Sequence, residues 1–135
     1  MAKHTTYFFS KDARAQAEFY IHALGGEIVS IMTHGQLPDA SEEMKDKVMH
    51  LSLVAAGATF YMTDEIFGSV QPGNNIYQSL EFATEEEAHQ AFNRLAEDGT
   101  IRYPLTPAFW GALHGQVQDK FDVLWMITTE AKPQS

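Results

Sequence analysis

The chain contains no cysteine. That excludes disulfide bonds, thiolate metal sites and a cysteine nucleophile, and it suits a reducing cytoplasm. Basic residues are scarce: nine Lys and Arg stand against 18 Asp and Glu, for a formal net charge of −9. Nucleic-acid binders neutralise phosphates with clustered cations, so this balance argues against a DNA or RNA partner. Long apolar runs are missing as well. No stretch approaches the roughly 20 apolar residues of a membrane-spanning helix, so no membrane partner is expected. The opening Met1-Ala2-Lys3-His4-Thr5-Thr6 has no apolar segment before a cleavage site. No secretion signal is therefore expected, and a cytoplasmic location is.

What remains is an ordinary globular composition. The chain has 135 residues and is 44% hydrophobic, which suits a single domain over 1–135 with a real core. Thr5 to Phe9 is β-branched and aromatic, as a strand is. Ser10 or Asp12 can cap a following helix with Ala15, Phe19 and Ala23 on its buried side, stopped at Gly25-Gly26. Glu27 to Thr33 is a second strand. His34 to Lys47 is polar and contains Pro38, so a surface loop is expected, with one helical turn at Ser41 to Lys45. Val48 to Ala55 and Ala58 to Thr63 form a hairpin about Ala56-Gly57.

After a linker at 65–74, rich in glycine, proline and asparagine, the order repeats. Asn75 to Phe82 is a strand. Thr84 caps a helix with an acidic first turn, Glu85-Glu86-Glu87, and a buried stripe of Ala88, Phe92 and Leu95 that Gly99 ends. Thr100 to Tyr103 is a short strand closed by Pro104. Phe109-Trp110-Gly111 is a loop, and Leu113 to Gln118 and Val123 to Thr129 form a closing hairpin about Lys120-Phe121. The tail from Ala131 to Ser135 is expected to fray.

Shifted by 73 residues, Ala15 falls on Ala88, Phe19 on Phe92, Gly26 on Gly99 and Ile28 on Ile101. Shifted by 64, His50 falls on His114, Tyr61 on Trp125 and Met62 on Met126. The pattern is an internal duplication of a β-α-β-β-β module, with modules at about 4–64 and 75–129. One helix covers one face of each module's sheet. The predicted fold is therefore α+β, two paired β-α-β-β-β modules forming a curved eight-stranded mixed sheet with helices outside and a trough inside.

Strand alternation assigns sides. The two-residue turns put His50, Ser52, Tyr61 and Thr63 on the trough face of the first hairpin. They put His114, Gln116, Trp125 and Ile127 on that of the second. Leu51, Leu53, Phe60 and Met62, then Val117, Leu124 and Met126, face the helices. Thr5, Tyr7 and Phe9 join the trough face, as do Tyr77, Ser79 and Glu81, while Leu80 and Phe82 face the second helix.

Three groups of residues, Glu18-Phe19-Tyr20 before Leu24-Gly25-Gly26, Phe109-Trp110-Gly111, and Gln118-Asp119-Lys120-Phe121 before Trp125-Met126-Ile127, carry a resemblance. With the duplicated module they resemble the PhnB-like branch of the vicinal-oxygen-chelate superfamily, which includes glyoxalase I, bleomycin-resistance proteins and extradiol dioxygenases. The resemblance covers nearly the whole chain and implies a homodimer with small-molecule pockets. A name often attached to this branch is 3-demethylubiquinone-9 3-methyltransferase. No glycine-rich strand-loop-helix that could hold a methyl-donor cofactor is present, so neither that activity nor any cofactor is expected.

The resemblance also implies four inward positions that in superfamily enzymes hold a divalent metal, usually through His or Glu. Here they fall on Thr5, Tyr61, Tyr77 and Trp125, none a good ligand for Zn, Ni, Fe or Mn. No metal site is expected. The candidate ligand pocket is Tyr7, His50, Tyr61, Tyr77, Glu81, Trp110, His114, Gln116 and Trp125. His50 and His114 are either proton-handling or substrate-binding groups, or strand histidines bonded to nearby groups. Glu81 is either a desolvated base or a carboxylate that reaches water. The expected function is metal-free binding of a small planar or amphipathic molecule. The alternative is a lyase, isomerase or dioxygenase-type enzyme of the superfamily, metal-dependent or metal-free.

Overall fold

Two helices form where capping residues meet amphipathic stripes. The computed structural model describes residues 1–131, so the end of the expected frayed tail lies outside the described residues. The chain divides into two compact units, Met1–Gln71 and Pro72–Ser135. The first holds β1 (Thr6–Ser10), α1 (Ala13–Leu24), β2 (Gly26–Thr33), a 3₁₀ turn (His34–Gln36), β3 (Val48–Ala55) and β4 (Ala58–Asp64). The second holds β5 (Gln78–Phe82), α2 (Glu85–Leu95), β6 (Thr100–Pro107), β7 (Leu113–Gln118) and β8 (Leu124–Thr129). The eight strands make two mixed four-stranded sheets with the same topology, β1-β4-β3-β2 and β5-β8-β7-β6. In each, the first and last strands of the unit run parallel and the other pairs antiparallel. This is the α+β fold and strand count that the sequence predicts.

In the first unit, Asp12 caps α1 by accepting from Ala15 N–H at 3.1 Å. Asp64 reaches back from the end of β4: one carboxylate oxygen accepts from Ala13 N–H at 2.8 Å and the other from Val48 N–H at 2.7 Å. Gly25, at φ +76°, ends the helix by donating to the Ile21 carbonyl. The buried side of α1 is Ala13, Gln16, Ala17, Phe19, Tyr20 and Ala23. Ala15 is exposed, contrary to expectation, because the buried stripe runs through Ala13, Gln16, Tyr20 and Ala23 at three- and four-residue steps. Gln16 is buried in its place, and its amide donates to the Tyr20 hydroxyl at 2.9 Å. Phe8 packs on both Tyr20 and Phe60, and Leu51, Leu53 and Met62 complete the core beneath the helix. These are the helix-facing residues expected of the first hairpin.

The second unit repeats the plan. Thr84 caps α2: its hydroxyl oxygen accepts from Glu87 N–H at 3.2 Å, and the hydroxyl donates to the Glu87 carboxylate at 2.8 Å. Ala88, Ala91, Phe92 and Leu95 are buried. The helix stops at Leu95, before Gly99, and the chain turns through Asp98 at φ +56°. Gly26 and Gly99 are equivalent. A Cβ on Gly26 would lie 1.8 Å from the Val54 carbonyl oxygen, and one on Gly99 2.3 Å from that of Gln118. Each glycine lets an edge strand start flush against its neighbour. β6 runs past Pro104 to Pro107, longer than expected. Register irregularities on either side of Tyr103 and its edge position let the strand carry the proline.

The closing hairpin differs from expectation by one residue. Asp122 N–H donates to the Asp119 carbonyl and Asp119 N–H to the Val123 carbonyl, both at 2.9 Å, with Asp122 at φ +67°. The connection is thus a three-residue loop, a turn followed by a left-handed residue, and not a two-residue turn at Lys120-Phe121. The register becomes Gln118 to Leu124, Val117 to Trp125, Gln116 to Met126, Gly115 to Ile127 and His114 to Thr128. A slip of one residue exchanges the faces. Trp125 and Ile127 therefore join Val117 under α2, and Leu124 and Met126 lie on the face with Gln116 and Gln118, the reverse of the expected assignment. The structural counterpart of Tyr61 is Met126, not Trp125.

Candidate functional site

In each unit the face away from the helix carries the polar and aromatic residues. On the first sheet, β1 lies beside β4 with Tyr7 level with Tyr61, and β3 follows with Ser52 level with Tyr61. Tyr7, Tyr61 and His50 therefore converge. Ring centroids are 5.9 Å apart for Tyr7 and Tyr61, 5.6 Å for Tyr7 and His50, and 5.0 Å for His50 and Tyr61. The Tyr7 hydroxyl lies 3.0 Å from His50 Nδ1. The contact serves either imidazole tautomer, because a phenol can donate to a bare nitrogen or accept from a protonated one. Burial holds the Tyr7 phenol above its ordinary value of 10.0, so it stays neutral at physiological pH. Phe9 extends the cluster along β1, 5.9 Å from Tyr7. Tyr7 remains 44% exposed and Phe9 57%, so the cluster presents aromatic surface rather than a sealed core.

On the second sheet, His114 packs against Tyr103 at 5.6 Å and Trp110 at 6.0 Å, and Trp110 meets Phe109 edge-on at 5.0 Å. Phe109 is 97% exposed and Trp110 48%. Gln116 lies on the same face as His114, level with Met126. Arg102 donates to the Gln118 side chain at 3.3 Å. Tyr103, absent from the expected pocket, enters because it pairs level with Gln116 on β7, between two register irregularities, and packs on His114. Glu81 is exposed on β5, level with Thr128, and Tyr77 is half-buried just before that strand.

Trp125 stands apart from the other candidates. Its side chain is 0% exposed on the helix-covered face, and its indole N–H donates to Asp119 Oδ2 at 2.9 Å. The other oxygen of Asp119 accepts from Phe121 N–H at 2.8 Å and Val123 N–H at 3.0 Å. Asp119, itself only 2% exposed, thus organises the loop and anchors the tryptophan. Sequence reading missed this role, although Asp-Lys-Phe followed by Trp was in view. An aspartate two residues before a loop amide is the available signal.

The donor chemistry does not fit the divalent metal of the superfamily's enzymes. With the register corrected, the equivalent positions are Thr5, Tyr61, Tyr77 and Met126, which offer a hydroxyl, two phenols and a thioether. Among the described residues, no three His, Cys, Asp or Glu side chains come together as a metal set. Nor, among them, is any helix long and apolar enough to cross a membrane.

Comparison with known proteins agrees with this architecture. Protein PA1353 from Pseudomonas aeruginosa superposes with a TM-score of 0.84 at 30% identity, covering 98% of this chain and 100% of that one. A Bacillus cereus PhnB protein, described as a putative 3-demethylubiquinone-9 3-methyltransferase, gives a TM-score of 0.78 at 27% identity, with 95% and 99% covered. Protein YjdN of Escherichia coli (strain K12) is 25% identical over 120 residues, covering 81% of this chain and 82% of that protein. Residues 2–127 match one family from before β1 into β8, and the chain belongs to the Glyoxalase/Bleomycin resistance protein/Dioxygenase superfamily.

Proposed function

We propose that this PhnB-like chain binds a small planar or amphipathic molecule, without a metal, against the aromatic face of its first sheet. The observation that carries the reading is the convergence of Tyr7, His50 and Tyr61, with a hydrogen-bonded phenol and imidazole among exposed ring surface. Ring faces hold a flat ligand, and the phenol–imidazole pair offers it a donor and an acceptor. His114, Trp110 and Gln116 offer the same chemistry on the second sheet, with Tyr77 and Glu81 on β5's side of it. Trp125, enclosed in the core, has no part in this reading. A homodimer in the cytoplasm belongs to the same proposal. Light scattering of the purified protein tests its oligomeric state.

The binding test is a thermal-shift screen of planar heteroaromatic compounds, followed by titration of any hit. Tyr61→Ala and His50→Ala should each weaken a true ligand by about tenfold or more, and no product should form. Affinity unchanged in both variants would remove the first sheet from the site.

One observation favours a second reading, a metal-free enzyme. The 3.0 Å contact between Tyr7 and His50 could pass a proton to or from a bound molecule. Turnover lost in both Tyr7→Phe and His50→Ala would establish it. Stoichiometric Zn, Ni, Fe or Mn in freshly purified protein would instead overturn the metal-free reading altogether.

A further inference from the structure

The segment between β2 and β3 is long for a connection in a compact unit, and such loops usually carry function. Its ends are tied together: His34 N–H donates to the Lys47 carbonyl and Gly35 N–H to the Lys45 carbonyl, each at 3.0 Å. Gly35 makes that closure possible, since a Cβ there would lie 2.6 Å from the Lys45 carbonyl oxygen. Within the loop, Leu37 N–H bonds back to His34, Met44 N–H to Ser41 and Lys47 N–H to Met44. Lys45 pairs with Glu42 at 2.9 Å. The segment is a closed, internally bonded loop.

The loop and Ile66 line an open hollow of about 510 Å³, within the size range of small-molecule sites. Its wall is mainly apolar, with Leu37, Pro38, Ala40, Met44 and Ile66; its polar residues are His34, Asp39 and Ser41, of which Asp39 alone is an anion. The Asp39 carboxylate makes no hydrogen bond or ion pair among the described residues. The chain's net charge of −9 draws cations towards the surface and repels anions. The Tyr7, His50 and Tyr61 cluster shares no residue with this hollow.

We propose that this hollow is a second ligand site, and that it takes an apolar amine: an aliphatic or aromatic body against Leu37, Met44 and Ile66, with its ammonium group at Asp39. The apolar wall supplies the area term and the unpaired carboxylate supplies the choice of charge. The site is separate from the aromatic face and does not depend on the function assigned to it.

The test uses two fluorescent probes with the same aromatic body and opposite charge, dansylcadaverine and dansylglycine, titrated into the full-length protein. Dansylcadaverine should bind saturably and at least about tenfold more tightly than dansylglycine. Asp39→Asn should narrow that preference to within about threefold. Ala40→Trp, which fills the hollow from an exposed position on the loop, should abolish the Asp39-dependent, charge-selective component of dansylcadaverine binding with the circular dichroism spectrum unchanged. Leu37→Asp provides a second, independent disruption of the wall should the tryptophan variant misfold. Tyr61→Ala, which lies outside the hollow, should leave that charge-selective component as it is. Absence of saturable binding, equal affinity for the two probes, or charge-selective binding lost in Tyr61→Ala but kept in Ala40→Trp and Leu37→Asp would each overturn the proposal.

Discussion

The indole N–H of Trp125 donates to the carboxylate of Asp119 at 2.9 Å, inside a core from which both side chains are shut off from solvent. One aspartate thereby fixes a loop, the pairing of two strands and the face on which a tryptophan sits.

Replacing Asp119 by Ala should destabilise the protein by roughly 2–4 kcal/mol, since it strands a buried indole donor and two loop amides at once. Asp119→Asn keeps one acceptor oxygen and should cost less. Urea unfolding followed by far-ultraviolet circular dichroism measures both. A cost within about 0.5 kcal/mol for the alanine variant, the range of ordinary surface changes, would contradict this role.

The two tryptophans should behave oppositely in fluorescence. Trp125 is sealed in the core and Trp110 is 48% exposed. Trp110→Phe should leave a blue-shifted emission that resists acrylamide, and Trp125→Phe a red-shifted one that acrylamide quenches readily. Efficient quenching in the Trp110→Phe variant would place the remaining indole near solvent.

The Tyr7 phenol, raised by burial, sets an alkaline limit. An unfolded tyrosine ionises near pH 10, whereas the folded one holds its proton to higher pH. The neutral phenol's contribution to folding is complete below that value and is lost as pH rises through the folded pKa. Wild type should therefore lose stability above pH 10 faster than Tyr7→Phe does. Absorbance at 295 nm during alkaline titration should show the variant lacking a late-ionising phenol. A lost phenol that ionises at or below pH 10 would refute the assignment.

Ala56 and Gly57 both have positive φ, +52° and +76°, the signature of a type I′ hairpin turn. An alanine in the left-handed region is strained, and asparagine tolerates it. Ala56→Asn should raise stability by about 0.5–1 kcal/mol, read as a higher Tm. A lower Tm would mean the alanine methyl makes a contact worth more than the strain.

Element order, the Thr84 cap and the first hairpin's faces were legible because local chemistry decides them, while the cap of α1 stayed open between Ser10 and Asp12. Thr84 is a good cap, Gly25 ends a helix, and Ala56-Gly57 closes a short turn whose alternation of Leu51, Leu53, Phe60 and Met62 has one consistent register. The closing hairpin was not legible. Leu124, Trp125, Met126 and Ile127 are apolar without interruption, so hydrophobicity does not choose a face. The choice rests on the bonds that Asp119 makes and on a left-handed residue, Asp122, where a glycine would have announced the longer loop. At the candidate site, Tyr7, His50 and Tyr61 follow from alternation around the short turn, and Trp125 fails with the register. The hollow beside Ile66 was hidden because backbone groups, which every sequence shares, close the loop that forms it.

The parallel pairing of β1 with β4 sets an order of events. Tyr7 must meet Tyr61 across nearly the full length of its unit, while β2, β3 and β4 join through neighbours in the chain. Closing the longer loop costs more entropy and comes late. The meander of β2, β3 and β4 is therefore expected to assemble before β1 docks against β4. Until then the phenol of Tyr7 and the imidazole of His50 have no shared surface, so the aromatic face is the final part of its unit to mature.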